Sequence, residues 1–368
     1  MKNKKRVPLS LTVFFAVSLF ILSLYPLFLL FPGFADWFAR YPAAAVRLAL
    51  GGISSLFPFS LFEILIAGGI LYLAFLVCFI PATLFRKRKG KAALRLTAFL
   101  LVVPVVLTAV LDLFVLSFAS SYSRPSPMAE LAPDTASVDA ENVFDTLEHL
   151  IAIVNESAPK IKLNEKGESV SPDFRQVNRS VQSACNAFGE RHDFFQAKGY
   201  RAKTFLSSPL MTYTHISGIF GFFTGEANVN TNYPHFIVTA SLAHESCHAR
   251  GIAPENECNF LAAVILMESG DPYLQYCGAN FVLDDFIAVC RKLNRERTAA
   301  ALEALHPVFL RDMAFYSEFF APYRESRAAK VADAANSAYL KSLGQKEGTV
   351  SYSRIIRLTA AYFREKTT

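Results

Sequence analysis

The sequence predicts a mostly α-helical protein with a small mixed sheet, in which an N-terminal membrane domain precedes an outer α+β domain. Three long apolar stretches lie before residue 120, and each is long enough to cross a bilayer, which needs about 20 apolar residues. A glycine-rich region between residues 202 and 230 has the residue types and turn signals of short strands. After Met267 the apolar residues recur at helical spacing to the end of the chain.

The predicted membrane helices cover residues 9–31, 64–85 and 96–119, and the membrane domain therefore comprises residues 1–119. We interpret the first stretch as an uncleaved span, because it is longer than a signal-peptide core and no clear small-residue cleavage site follows it. Between the first two spans, residues 36–55 combine aromatic, arginine and apolar side chains. This composition predicts an amphipathic helix at the outer membrane interface.

Two basic clusters predict the orientation of these helices. One precedes the first span and the other separates the second from the third; they are Lys2, Lys4, Lys5 and Arg6, and Arg86, Lys87, Arg88, Lys89 and Lys91. Positively charged loops stay on the cytoplasmic side of a membrane. We therefore expect a multi-pass protein of the cell membrane, with a cytoplasmic N-terminus and an extracytoplasmic C-terminal domain.

The charge distribution argues against a nucleic-acid partner. The net charge is +6, but 12 of the 37 basic and three of the 31 acidic residues precede residue 120. The remainder carries 25 basic and 28 acidic residues, so the outer domain is close to neutral. A nucleic-acid-binding domain would have a basic surface. The lipid bilayer is the partner that the apolar stretches lead us to expect.

The outer domain is predicted to follow a Ser- and Pro-rich linker, residues 120–136, and to cover residues 137–368. Its first half contains two predicted helices, over residues 137–157 and 174–189, each with apolar residues on one face. The strand-like region comes next, at residues 202–205, 211–219 and 228–230.

A histidine motif then predicts a metal site in this domain. His244, Glu245 and His248 form the pattern H-E-x-x-H within an apolar, small-residue helix. Residues four apart share a helix face, so the two imidazoles can bind one metal ion, with Glu245 placed as a general base. A catalytic zinc site needs a third protein ligand and an open position. The residue types therefore predict Zn²⁺ as the cofactor.

The third ligand is expected from the next helix, which Gly251 and Pro254 separate from the motif. Glu255 and Glu257 are both candidates, and we favour Glu255 because it shares a helix face with Asn259. The Glu255-x-x-Cys258-Asn259 spacing resembles a segment of the HtpX-like and BlaR-like membrane metallopeptidases. That resemblance implies that Glu255 is a zinc ligand and that Asn259, which replaces an acid, contacts a ligand rather than the metal.

Several separated segments resemble a bacterial membrane protein family known as domain of unknown function 3810. They are Pro58–Ser60, Met211–Phe220, Thr224–Asn230, His244–Ala262, Tyr339–Gly348 and Tyr352. The resemblance covers essentially the whole chain and implies a multi-pass protein whose outer domain is similar to zinc-dependent peptidases of the zincin type. It implies no particular substrate.

The zincin similarity also implies a substrate-binding edge strand beside the metal helix. The candidate residues for this strand are Thr224, Gly225, Glu226, Ala227 and Asn228. A donor to the oxyanion of the reaction is expected as well. The candidate donors are Tyr213, His215, Tyr273 and Tyr276.

The resulting hypothesis is a membrane-anchored zinc metallopeptidase, a hydrolase that acts on a peptide or protein substrate outside the cytoplasm. Zinc would lower the pKa of a bound water to about 7, and Glu245 would accept the proton of that water as it attacks a peptide carbonyl. The alternative is a non-enzymatic or regulatory membrane sensor or scaffold with a structural zinc site. The presence of Glu245 favours the enzyme.

Overall fold

The computed structural model of the protein describes residues 8–85, 91–343 and 352–367. As predicted, the chain is mostly helical, with one small mixed sheet and three apolar helices near the N-terminus. The described residues form two compact units, one extending to Pro125 and including Phe222–Gly225, the other beginning at Ser126 and including the rest. The boundary at Pro125 falls within the predicted linker.

The first unit is mostly helical among the residues that the structure describes. Its α-helices are α1 (Leu9–Leu22), α2 (Leu24–Leu30), α3 (Pro32–Arg40), α4 (Pro42–Ser55), α5 (Leu61–Phe85), α6 (Lys91–Phe114) and α7 (Ser120–Ser123), with a π-helix at Val115–Ala119 before α7. Three segments are long and apolar enough to cross a membrane: Leu9–Leu30, Leu61–Ile80 and Phe99–Ser123. The basic residues 2–6 and 86–89, on which the predicted orientation depends, lie outside the described residues.

The single amphipathic helix predicted over residues 36–55 is wrong, because the chain forms α3 and α4 there. Pro42 lacks a backbone N–H and fixes its own φ, so it begins a new helix instead of continuing α3. Arg47 of α4 is buried and donates hydrogen bonds to the carbonyl oxygens of Ala39, at 3.1 Å, and Ser117, at 2.7 Å. It thereby joins α3, α4 and the π-helix within this unit.

The second unit is built around a central helix, α11. Its helices are α8 (Ala140–Ser157), α9 (Phe174–Arg191), α10 (Ser208–Met211), α11 (His235–Ala249), α12 (Glu255–Met267), α13 (Pro272–Leu293), α14 (Arg295–Glu303), α15 (Pro307–Phe320), α16 (Arg327–Ser342) and α17 (Tyr352–Thr367). Side chains of α8, α9, α11, α12 and α13 form one continuous apolar core. The small residues of α11, such as Ala240 and Ala243, allow its neighbours to pack closely around it.

The sheet has three strands in the order β1-β3-β2: β1 (Lys203–Thr204), β2 (Gly218–Gly221) and β3 (Glu226–Val229). β3 pairs parallel with β1 and antiparallel with β2, so it is the central strand. The predicted edge strand is therefore wrong. Of its residues Thr224, Gly225, Glu226, Ala227 and Asn228, the first two precede β3 and the last three belong to it. The outer strand that contacts α11 is β2.

Candidate metal centre

The H-E-x-x-H motif forms the last turns of α11. The helix begins directly after Pro234 and ends at Ala249. Glu245 and His248 are buried, and His244 is partly exposed. Since residues four apart lie on one helix face, the two imidazoles point to the same side of α11. The ring nitrogens confirm this, because Nε2 of His244 lies 3.1 Å from Nε2 of His248.

A tight turn after α11 reverses the chain and begins α12 at Glu255. The N–H of Ile252 bonds to the carbonyl oxygen of Cys247 over 3.2 Å, and the N–H of Gly251 bonds to that of His248 over 3.0 Å. This pair of bonds is a Schellman motif, which requires a left-handed residue. Gly251 supplies it with a φ of 94°. The turn therefore places the first residue of α12 beside the end of α11.

Glu255 completes a triad with the two histidines. Its Oε2 atom lies 3.2 Å from Nε2 of His244 and 3.6 Å from Nε2 of His248. One ligand atom from each residue can be chosen so that all lie within 4.8 Å of one another. About 40% of the Glu255 side chain is exposed, against 8% for His248. Solvent therefore reaches the triad from the side of Glu255.

The hydrogen bonding of His248 determines which ring nitrogen faces the triad. Nδ1 lies 2.9 Å from the carbonyl oxygen of Ile252, and a carbonyl oxygen can only accept. Nδ1 therefore carries the proton, and in the neutral ring Nε2 has a free lone pair. The Sγ atom of Cys258 lies 3.3 Å from the same Nδ1. All six cysteines are unpaired thiols.

The charges of the triad are strongly coupled. Burial by itself lowers the pKa of His248, but the neighbouring Glu255 carboxylate outweighs it and raises the pKa to about 9. Burial likewise raises the pKa of Glu255, but His248 and His244 outweigh it and hold the pKa well below its ordinary range. In the metal-free protein, His248 and Glu255 thus form an ion pair.

Glu245 points away from solvent and is 5% exposed. Burial raises the pKa of its carboxyl group, although the two histidines act in the opposite direction. The backbone of Phe220 in β2 hydrogen-bonds to this carboxylate. Its Oε2 atom is buried and has no hydrogen-bond partner among the described residues. A buried carboxylate oxygen without a partner is costly and is typical of a site that binds or reacts.

Glu257, the alternative third ligand, lies away from the triad. It is buried, and its Oε1 atom accepts a hydrogen bond from Ser126 Oγ at 2.7 Å and contacts Arg354 Nη2 at 3.4 Å. The geometry therefore favours Glu255. Asn259 is partly buried, and its side chain makes no hydrogen bond among the described residues. Its predicted contact with a ligand is therefore not made through a hydrogen bond among those residues and stays a prediction.

Two of the candidate oxyanion donors belong to a different buried network. The hydroxyl of Tyr276 donates to Asp312 Oδ2 at 2.6 Å, and the hydroxyl of Tyr273 lies 2.9 Å from His235 Nδ1 and 3.3 Å from Thr239 Oγ1. Thr239 precedes His244 by five residues, which is about 7.5 Å along a helix axis. The structure therefore does not bring Tyr273 and Tyr276 to the triad.

The other two candidates are held by a loop after α15. Tyr213 packs edge-on against Tyr323 at 4.9 Å between ring centroids. His215 Nε2 donates to the carbonyl oxygen of Tyr323 at 2.8 Å, which occupies that nitrogen. His215 also has a positive φ of 59°, rare for a residue other than glycine. Both residues precede β2, and neither has a contact with the triad among the described residues.

Sequence patterns gave no indication of two residues at the site, Gly218 and Phe220 of β2. The Phe220 ring lies nearly parallel to the His248 ring, at 22° and 6.5 Å between centroids. A Cβ atom on Gly218 would lie 2.6 Å from Glu245 Oε1, closer than real contacts allow. Gly218 is the first residue of β2 and pairs with Val229, and a glycine within a strand does not by itself reveal which residue approaches the backbone.

The comparison with protein families is decisive for the identity of the chain. A family model described as "Protein of unknown function (DUF3810)" matches residues 38–360. The chain belongs to this family. Neither the curated proteins nor the solved structures contain a match to it.

Three of the segments that resemble DUF3810 contribute to the candidate metal centre or to the sheet beside it. His244–Ala262 contains all three triad residues, and Met211–Phe220 ends in β2, which contacts Glu245. Thr224–Asn230 contains β3, the partner of β2. Residues 344–348 of the C-terminal segment lie outside the described residues. In this DUF3810 member, distant parts of the sequence thus come together around one group of side chains.

Proposed function

We propose that this DUF3810 protein is a membrane-anchored zinc metallopeptidase with a zincin-like outer domain. The observation that carries the proposal is the triangle of ligand atoms on His244, His248 and Glu255, with sides of 3.1, 3.2 and 3.6 Å. Ligand atoms about 2.05 Å from a tetrahedral zinc ion lie about 3.3 Å apart. The side chains therefore fit one face of a zinc coordination shell without rearrangement.

The number of ligands favours a catalytic over a structural zinc site. Structural sites use four protein ligands, whereas catalytic sites use three and leave one position for substrate or water. Among the described residues the group contains three. The partner of His248 Nδ1, the Ile252 carbonyl oxygen, is also of the kind that orients histidine ligands.

Zinc bound by the triad would supply Lewis-acid chemistry, polarising a carbonyl group and acidifying water to a pKa of about 7. Glu245 supplies the base: its Oε2 atom takes a proton from the attacking nucleophile and returns it to the leaving amine. Burial raises the pKa of Glu245 and so improves its capacity to hold that proton. His244 and His248 would hold the metal on the same helix as Glu245, so that α11 fixes the position of the base relative to the metal.

The outer strand β2 offers a place for an extended peptide. The carbonyl oxygen of Ser217 accepts a hydrogen bond from the N–H of Asn230. Because hydrogen-bonded and non-hydrogen-bonded pairs alternate along an antiparallel ladder, the N–H and C=O of the next residue, Gly218, point away from β3. Gly218 is partly exposed and makes no hydrogen bond outside the sheet among the described residues. A substrate strand added at this edge would run beside Glu245 and the triad.

The proposed location of the reaction is outside the cytoplasm, because the basic clusters predict a cytoplasmic N-terminus. The test uses single cysteines placed within residues 86–90 or at exposed Glu303, in a Cys78→Ala background, and treats intact cells with a thiol-labelling reagent. We expect labelling at position 303 by a membrane-impermeant reagent and none in the loop. The reverse pattern would contradict the orientation.

Glu245→Gln tests the enzyme hypothesis in the full-length protein. Glutamine keeps the size of the side chain but cannot accept a proton, so turnover of any peptide that the wild type cleaves should fall by about 10²–10⁴-fold. Zinc content should stay at the wild-type value. His244→Ala is the control, because it should lose both zinc and activity. A Glu245→Gln protein that cleaves at the wild-type rate would rule out this mechanism.

A further inference from the structure

The register of β2 divides its residues into two sets. The hydrogen bond from the Asn230 N–H to the Ser217 carbonyl oxygen, 2.8 Å long, makes Ser217 and Asn230 a hydrogen-bonded pair. In an antiparallel ladder these pairs alternate with pairs whose peptide groups point outward. The pairs Gly218–Val229 and Phe220–Ala227 are therefore of the second kind. The N–H and C=O groups of Gly218 and Phe220 point away from β3.

Glu245 accepts the outward N–H of Phe220. The hydrogen bond links the Phe220 backbone to the Glu245 carboxylate, and Oε2 has no partner among the described residues. The N–H therefore bonds to Oε1. The two oxygens of this buried carboxylate therefore have different roles. The Phe220 N–H fixes the position of Oε1, and Oε2 is available to accept a proton.

Gly218 makes this approach possible. A Cβ atom at this position would lie 2.6 Å from both Cγ and Oε1 of Glu245, and 2.9 Å from Cδ. Separations under about 3 Å lie well inside van der Waals contact, where repulsion is steep. Glu245 is buried and cannot turn away at low cost. Any side chain at position 218 would therefore move either the carboxylate or the strand.

We propose that β2 positions the general base: the Phe220 N–H anchors Glu245 Oε1, and the glycine at position 218 lets the strand come close enough to do so. The inference rests on the proposed function, since it assigns Glu245 the role of base. Phe220 and Gly218 are positioning residues. The Phe220 ring, next to His248, keeps the same strand in register with a metal-binding side chain.

Gly218→Ala in the full-length zinc-loaded protein tests this role. A displacement of about 1 Å at a reacting group can cost about a hundredfold in rate, so we expect kcat to fall by about that factor. KM should change less than about threefold and zinc content not at all, because no ligand moves. Ile219→Ala is the matched control, since Ile219 is on the same strand but on its opposite face. It should keep kcat within about threefold of the wild type.

Shortening the side chain at position 245 should rescue the effect of Gly218→Ala. Glu245→Asp withdraws the carboxylate by one methylene group and thus relieves the contact with a Cβ atom at position 218. In the Glu245→Asp background, Gly218→Ala should therefore cost less than about threefold, because residues in contact are not additive. Equal losses of kcat from Gly218→Ala in both backgrounds would overturn the positioning role, as would loss of zinc from the Gly218→Ala protein.

The wild type and its Gly218→Ala variant separate this inference from the proposed function. A wild-type protein that holds zinc and cleaves no peptide contradicts the peptidase hypothesis itself. An active wild type whose Gly218→Ala variant keeps its full kcat contradicts only the role of β2.

Discussion

The imidazole of His248 donates its Nδ1–H to the carbonyl oxygen of Ile252, 2.9 Å away, on the far side of the turn that follows α11. One hydrogen bond thus connects a triad histidine with the turn that delivers Glu255. Orientation of the ring and placement of the carboxylate consequently depend on the same four residues, Gly251 to Pro254. Disturbing this turn should affect both.

Gly251→Ala is predicted to weaken zinc binding as well as folding. An alanine forced into a left-handed conformation costs about 1–2 kcal/mol, and the φ of Gly251 is 94°. Relaxation of that strain would shift both Ile252 and Glu255. We expect a lower melting temperature and about a tenfold loss of zinc affinity, measured by competition with a chromogenic chelator.

Gly270→Ala is the matched control for this prediction. Gly270 also has a positive φ, 73°, and a Cβ atom there would meet nothing within 4 Å. The substitution carries the same kind of backbone strain at the other end of α12. It should lower the melting temperature and leave zinc affinity unchanged. Equal losses of zinc affinity in the two variants would show that the turn does not control the triad.

Glu255→Gln and Glu257→Gln should have opposite effects. Glu255 is 40% exposed and lies beside both histidines, so its amide variant should lose zinc affinity by about tenfold or more, and it also removes the ion pair with His248 in the metal-free protein. Glu257 is buried against Ser126 and Arg354. Its amide variant should cost about 1–3 kcal/mol of folding free energy and keep zinc. Chelator competition and thermal unfolding of both proteins measure the two quantities. If Glu257→Gln alone strips the metal, the assignments must be exchanged.

Zinc affinity should rise with pH between about 6.5 and 9. The pKa of His248 in the metal-free protein is raised to about 9 from 6.5, so the Glu255–His248 ion pair stabilises that protein below pH 6.5 and fades as pH rises through 9. Zinc needs a neutral imidazole, and its binding must therefore release the proton of His248 in this window. Titration calorimetry at pH 7.5 in two buffers of different ionisation enthalpy should give more than one proton released, because a zinc-bound water with a pKa of about 7 also ionises at that pH. Release of one proton or fewer would contradict the ion pair.

The features that could be predicted from the sequence are those that depend on one long apolar stretch or on a few neighbouring residues. The three apolar helices follow from composition over about 20 residues. The shared face of His244 and His248 follows from helix geometry within five residues, and the change of direction before Glu255 follows from Gly251. In each case the physics that determines the structure lies within one short segment.

The errors arose where distant segments decide the structure. The sequence predicts strands at residues 202–205 and 228–230 but not their pairing, and the parallel pairing of β1 covers the other side of β3. The hydroxyl of Tyr276 likewise has the chemistry of an oxyanion donor, but its partner, Asp312, lies 36 residues later in the chain. The contact of Gly218 with Glu245 is of the same kind, because it depends on how a strand packs on a helix.

The zinc content of the purified full-length protein tests the central claim most directly. Elemental analysis by mass spectrometry should give about one zinc ion per chain in the wild type and in Glu245→Gln. The same analysis should give much less in His244→Ala, which retains two of the three ligands. A folded wild-type protein that contains no zinc, and binds none when zinc is added, would contradict the account.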